Sequence, residues 1–540
     1  MLNVCTMNLQ KWAFLLSCQI FFGHFGVSQV GWVDVKKYGV QGNGQQNEAL
    51  NIQKAIDACA QSGGGKVYFP AGKYLTSTFF LKSNTGLYLE NGAEILASKN
   101  PSDYTQSKGI YSTETDVPCL VMADKVENIS IEGMGKFDGQ ASHEWTDMKE
   151  VDNFIKWETE NARKSGIEMK RAYAKDPKVC LFYITNCKNV KIQQVTITAS
   201  PNWAVHLAHC EDVLVEGISL YSSLEKGVNS DGLDIDGCKN VRISNCHIET
   251  GDDAICLKST QKNGIYHACE NVVVNNCTLV STSTALKIGT ESHGDFRNIV
   301  FSNSVISNTN RGIGIFVRDG ATVDGVIFTN LTIECRRKHF NWWGDGDPIR
   351  FVLLKRRKDS RLGVIRNVLV SQVMASGQGS SLISGFEGDS LNPARNIENI
   401  RLQDVHLRLE KEELADKRAK NVLNLKQAEG VAISRCSFVF SDAATEPAWA
   451  SAIFAHRING LQMNHCQVES AQKSNKPALH FSEVKSGLLD EVHLQNPGDC
   501  YLKVGGKASE KIKIVLEAEE DQKPCIQFEN GAGKKAVVLD

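Results

Sequence analysis

The chain has 540 residues, with 60 Lys and Arg against 62 Asp and Glu, giving a formal net charge of −2. Such a balance argues against a nucleic-acid binder and offers no attraction to an acidic membrane surface. The length admits one long domain or two to three ordinary ones, and the 44 glycines suit an all-β chain with many turns.

The first element is a targeting segment. Lys11 precedes the apolar run "WAFLLSCQIFFGHFGVSQ", which ends in small residues near Ser28. This pattern predicts a secretory signal over residues 1–28, and with it export to the medium, the periplasm or the cell surface. A lipid anchor at Cys18 is the alternative reading. His24 and polar neighbours interrupt the run, and no other segment approaches the roughly twenty apolar residues of a membrane span.

Next comes a helical pattern, "ALNIQKAIDACAQS", followed by "GGGKVYFPAGKYL". It predicts an N-terminal capping helix leading into strands. From residue 128 onward one pattern recurs: Asn or Gly, then aliphatic residues at alternate positions. It reads "NISIEGMGK" (128–136), "NVKIQQVTI" (189–197), "DVLVEGISL" (212–220), "NVRISNCHI" (240–248) and "NVVVNNCTL" (271–279), and continues to "GLLDEVHLQ" (487–495). Most intervals are 23 to 32 residues. Strand-like repeats of that period with no helices between them predict a solenoid, namely an all-β, right-handed, single-stranded parallel β-helix with one repeat per coil. A propeller would need about four strands in every 40–50 residues.

The predicted organisation is a β-helix domain over residues 29–495, with polar insertions at 136–180 and 336–362, and closing strands over 496–540. Long insertions in a solenoid become loops on one face, often the binding face. The 17 cysteines fit this scheme. Cys246, Cys277, Cys436 and Cys466 share one repeat position, and Cys187, Cys210, Cys238 and Cys269 share another, so they are read as small hydrophobes in interior stacks.

Four successive coils align as "SDGLDID" (230–236), "DDAICLK" (252–258), "STALKIG" (283–289) and "NRGIGIF" (310–316). Stacked strands then give the columns Asp231–Asp253–Thr284–Arg311, Ser230–Asp252–Ser283–Asn310, Asp234–Cys256–Lys287–Gly314 and Asp236–Lys258–Gly289–Phe316. Leu233, Ile255, Leu286 and Ile313 would face the core and the charged columns the outside. Asp231, Asp252 and Asp253 would lie within about one coil spacing of each other. Crowded carboxylates resist joint ionisation, so one keeps a proton while another stays charged. Glycoside hydrolysis requires such a pair. Turn aspartates that merely cap or bind solvent are the bland alternative.

The start "VDVKKYGVQGNGQQNEALNIQKAIDAC", together with "LKSNTGLYLENGAEI", "SPNWAVHLAHCEDV", "NSDGLDID" and "GDDAICLKS", resembles glycoside hydrolase family 28, the polygalacturonases and related pectin hydrolases. The resemblance spans roughly residues 31–410. The family's Asn-Thr-Asp-Gly motif matches Asn229-Ser230-Asp231-Gly232, and its Asp-Asp pair matches Asp252-Asp253. The resemblance implies a parallel β-helix that hydrolyses with inversion, with Asp252 as general acid and Asp231 and Asp253 activating water. It implies a pectic substrate, galacturonan or rhamnogalacturonan. Cleft residues by this reading include Asn229, Asp234, Asn202 and Trp203.

Two departures stand out. Where the family carries Gly-His-Gly the chain has Ser283-Thr284-Ala285, and where it carries Arg-Ile-Lys the chain has Gly314-Ile315-Phe316. Lys258, Lys287 and Arg318 are the expected substitutes for the missing cations. Trp343, in the second insertion, is an expected sugar-stacking residue. The size of the insertions raises the expectation of exo attack. No phosphate loop, metal-spaced His cluster or Ser-His-Asp signature is evident, so neither cofactor nor metal is expected, and the chain is expected to act as a monomer. A β-helical polysaccharide lyase and a non-catalytic carbohydrate-binding β-helix are the rival readings.

Overall fold

The computed structural model describes residues 31–105, 118–141, 145–147, 177–338, 344–441, 446–471, 476–495, 500–515 and 524–540, plus a few positions between 159 and 174. The expected signal segment, the Cys18 anchor and Trp343 lie outside the described residues.

Thirty-eight strands form one continuous sheet, paired in parallel from coil to coil and wound as a right-handed β-helix, and Trp145–Asp147 and Ala172–Ala174 make a separate antiparallel pair. Three strand segments make up a typical coil. Cys180–Thr185, Lys188–Gln193 and Thr196–Thr198 are followed one coil later by Val205–Ala208, Glu211–Glu216 and Ser219–Tyr221. The register is direct, with Val190 opposite Val213 and Val213 opposite Val241. Period-two patterning therefore sends the same aliphatic column inward on every coil. Leu233, Ile255, Leu286 and Ile313 form another such inward column and are fully buried, each contributing roughly 1.5–3 kcal/mol of apolar burial.

The Asn or Gly that opens each repeat has a backbone reason. Asn240, Asn271 and Asn298 adopt φ of 55°, 58° and 57°, and Gly325 follows at 73° on the next coil. This left-handed corner suits Asn and Gly better than other residues. The corner amides form a ladder along the outside. Asn271 Nδ2 donates to Asn240 Oδ1 at 3.0 Å, and Asn298 Nδ2 donates to Asn271 Oδ1 at 3.1 Å.

The helix Ala49–Gln61 buries Ile52, Ala55, Ile56 and Cys59 against the first coils, as a cap on the open end of the stack. The repeated cysteines are buried and unpaired among the described residues. One expected boundary is corrected. Residues 336–362 are not wholly an inserted loop, because Asp347–Leu353 is a strand of the stack, paired with Arg311–Val317 on one side and Ser381–Ser384 on the other. Apolar alternation in "DPIRFVL" places Ile349 and Phe351 in the core.

Candidate active site

One face of the solenoid is built by the segments Val205–Ala208, Leu233–Asp236, Ile255–Ser259, Thr284–Ser292 and Arg311–Val317. Their register makes the column His206–Asp234–Cys256–Lys287–Gly314. Just before the strands, Asp231 and the Asp252-Asp253 pair occupy adjacent coils. Gly232 holds these two coils close: its N–H donates to the Asp253 carbonyl at 2.8 Å, and a Cβ there would lie 2.5 Å from the Ala254 oxygen.

The three carboxyls converge. One oxygen from each of Asp231, Asp252 and Asp253 lies within 4.8 Å of the others. Asp252 is the most accessible at 6 %, against 2 % for Asp231 and 1 % for Asp253. Its two oxygens accept from the backbone N–H groups of Asp253 (2.9 Å) and Asn229 (3.1 Å). Asn229 reaches that position through a left-handed φ of 63°.

The surroundings of the three carboxyls differ. Burial pushes the Asp231 carboxyl well above its ordinary value, and Asp234 and Asp252 add to the push against the pull of Lys258. Its Oδ1 is buried without a hydrogen-bond partner among the described residues. Asp253 instead has a full set of donors: Lys287 Nζ at 2.5 Å, Ser283 Oγ at 2.8 Å and the Thr284 N–H at 3.2 Å. The trio thus joins a carboxyl whose charge burial disfavours, Asp231, to one that three donors hold, Asp253.

Lys258 lies beneath the trio, only 4 % exposed. Its ammonium is 3.4 Å from Asp231, 3.4 Å from Asp234 and 3.3 Å from Glu291, and lies 4.0 Å from the centre of the Trp203 ring. Burial opposes its charge, but these carboxylates more than offset it and raise its pKa well above the ordinary value. Asp234 is raised to about 6 by burial, with Lys258 and His206 pulling the other way. Asp236, one step along, accepts from Thr260 N–H at 2.7 Å and lies 3.1 Å from His206 Nε2.

Of the expected cleft residues, Asn229, Asp234, Trp203, Lys258 and Lys287 join this centre. Asn202 sits beside it, half-buried, its carbonyl accepting from Ser200 Oγ at 2.7 Å. Arg318 lies past the far end of its strand, beside Asp319, and burial and Arg356 lower its pKa. His293 is on that far wall too, 4.0 Å from Asp319. The register column that ran from Asp236 through Lys258 to Gly289 breaks at its last step. The pairing shifts between Leu257 and Ser259, so that Ser259 faces Ser292.

That shift bulges Gly289–Glu291 outward and brings Glu291 onto Lys258, a partner that sequence spacing does not reveal. Burial works against the Glu291 charge, but Lys258 and Arg356 pull its carboxyl well below the ordinary range. Arg311 is another unassigned contributor. It bridges Asp347 (3.1 Å) and Thr284 Oγ1 (3.4 Å) and stacks over Phe316 at 4.8 Å. Its place in the Asp231–Asp253–Thr284 column was the available signal.

The sequence profile of glycosyl hydrolases family 28 matches residues 59–335, which contain the whole centre. A probable polygalacturonase of Vitis vinifera is 28% identical over 327 residues, covering 57% of this chain and 62% of that protein. An exo-poly-alpha-D-galacturonosidase of Dickeya chrysanthemi is 25% identical over 340 residues, covering 56% of this chain and 55% of that protein. The chain thus spans under two thirds of the length of these two relatives. Among solved structures, the exopolygalacturonase of Thermotoga maritima superposes with a TM-score of 0.59 over 76% of this chain and 92% of its own, at 22% identity. That likeness is one of fold. The solenoid, the paired acidic coils and the matched profile lead to one assignment: the chain belongs to glycosyl hydrolases family 28.

Proposed function

We propose that the chain is an exported glycosidase that hydrolyses a pectic polysaccharide, galacturonan or rhamnogalacturonan, by acid/base catalysis with inversion. The observation that carries this reading is the convergence of Asp231, Asp252 and Asp253, with one oxygen of each within 4.8 Å of the others. Asp252, the most accessible of the three, is the general acid that gives its proton to the leaving glycosidic oxygen. Asp253 takes the proton of the attacking water, which Asp231 helps to activate by orienting it, so that one proton enters the site as another leaves it. Lys287 pairs with Asp253, and Lys258 lies against Asp231, Asp234 and Glu291. Trp203, Asn202 and Asn229 line the adjoining surface.

An exo mode is supported by the insertions and by the exo-acting relative among the matches. Export rests on Lys11 and the apolar run behind it. We take the catalytic unit to be a monomer, because the trio and its partners all come from one stack of coils.

The test is incubation with defined pectic oligosaccharides, with product identification and NMR of the first-formed anomer. Saturated products released with inverted configuration are expected. A product absorbing in the ultraviolet through a new double bond would indicate elimination. Binding without turnover across the panel would identify a carbohydrate-binding solenoid instead.

A further inference from the structure

The strand column that carries Asp234 and Lys287 continues past the aspartates. Gly314 pairs with Arg350, Arg350 with Leu382, and Leu382 with Asn424. At this end of the face lies a cavity of about 210 Å³, lined by Arg350, Arg418, Lys420 and Lys426, with Ser380 and Asn424 between them. The coil steps from Ile255–Ser259 to Asp347–Leu353 number three, which at about 4.8 Å per step sets Arg350 about 14 Å beyond the catalytic coil.

The cavity's charge is organised rather than scattered. Asp345 braces the two guanidiniums, with Arg418 Nη1 at 3.1 Å and Arg350 Nη1 at 3.6 Å. Asp416 holds the other side of Arg418 at 2.8 Å, and Asp347 lies 3.5 Å from Arg350. Burial would raise the Asp345 carboxyl, but Arg350 and Arg418 hold it below its ordinary value. The braced arginines keep donors in fixed positions. The ammonium groups of Lys420 and Lys426 have no carboxylate partner among the described residues. Around them are neutral hydrogen-bonding groups: Ser380 Oγ accepts the N–H of Lys420 at 3.1 Å, and Asn421 Nδ2 donates to Asn424 Oδ1 at 2.8 Å. Two uncompensated ammoniums beside fixed guanidiniums and amides suit a carboxylate borne on a polyhydroxylated ring.

We infer that this cavity is a distal subsite for a uronate carboxylate, occupied by sugar units several places along from the bond being cleaved. The inference rests on the pectic reading of the aspartate centre. It adds that substrate length and charge are sensed on the C-terminal coils, away from the position where the family's Arg-Ile-Lys cations are replaced by Gly314-Ile315-Phe316. A sugar bound at the aspartates alone does not reach the cavity. An oligomer long enough to cover the three coil steps to Arg350 and the two more to the strand of Lys426 engages both.

The test measures calorimetric binding of saturated oligogalacturonates of two and six units to the Asp252→Asn protein, which should bind without turnover. The same background then carries Lys420→Ala and Lys426→Ala together, with circular dichroism as the folding control, and Lys420→Arg with Lys426→Arg as the conservative variant. The six-unit ligand should bind more tightly than the two-unit ligand. The alanine pair should cut that advantage by about tenfold, and the arginine pair should largely keep it. An alanine pair that is folded and keeps the full length advantage overturns the distal subsite and leaves the pectic reading standing. Failure of the Asp252→Asn protein to bind either oligomer overturns both.

Discussion

The Lys258 ammonium stands 3.4 Å from Oδ2 of Asp231, on the neighbouring coil, and both side chains are almost completely buried. Their strands are locked in register by the Asp236–Lys258 pairing, so the ion pair is fixed by the stacking of coils. The same ammonium also serves Asp234 and Glu291. Removing it in Lys258→Ala takes a counter-charge from Asp231, Asp234 and Glu291, of which Glu291 keeps Arg356. We expect a loss of about 3–5 kcal/mol of stability, read from denaturant midpoints. In whatever protein remains folded, the Asp231 carboxyl should titrate at still higher pH, moving the pH–rate profile upward.

Asp252→Asn tests the chemistry. The amide keeps an oxygen to accept one of the N–H groups of Asn229 and Asp253 but cannot protonate a leaving oxygen. The expected result is a fall in kcat of about 10²–10⁴-fold, with KM and thermal stability changed little. Wild-type turnover in this variant would remove Asp252 from the proton-transfer role.

The pH dependence of stability follows from Asp234 and has a definite sign. In the folded chain Asp234 titrates at about 6, against an ordinary value of 3.8. Between those values the folded state holds a proton that the unfolded chain has released. Stability therefore falls as pH rises through that window, by up to about 1.4 kcal/mol per pH unit for one proton. Glu291 acts in the opposite sense. Its depressed value contributes stability above the ordinary carboxylate range, which is lost as pH falls below it. Urea midpoints of Asp234→Asn and the parent, measured from about pH 4 to 7, should show a smaller downward slope in the variant.

Thr284 stands where the family has histidine, and it is fully buried with Arg311 Nη1 at 3.4 Å. An imidazole there must displace Arg311 from its place over Phe316. Thr284→His should lower stability by about 1–3 kcal/mol through overpacking without raising kcat. A gain in turnover would show that the surrounding groups still accommodate the family's histidine.

Much of this was legible in the sequence, for identifiable reasons. A period-two aliphatic pattern on a fixed repeat predicts the coils, and aligning the coils predicts which aspartates meet. The register in fact pairs Asp234 with Cys256 and Cys256 with Lys287, as that alignment implies. What spacing could not show was any departure from uniform stacking. The bulge at Gly289–Glu291 brings in Glu291 from outside its expected column. Arg350 was hidden because "DPIRFVL" sits between polar stretches and reads as part of an insertion. Lys258 and Lys287 read from the sequence as outward cations for substrate; the column of Lys287 holds through Gly314, whereas that of Lys258 breaks before Gly289. Only side-chain geometry shows that both ammoniums are already engaged by the acids of the centre.

The direct coil-to-coil register has a further consequence. Every functional position on this face sits a whole number of strand spacings from every other, so the surface works as a ruler with fixed graduations. Such a scaffold cannot stretch its groove by a fraction of a step to suit a different polymer. New preferences must arise by exchanging the side chain at an existing mark, adding or deleting an entire coil, or reshaping the loops that border the scale.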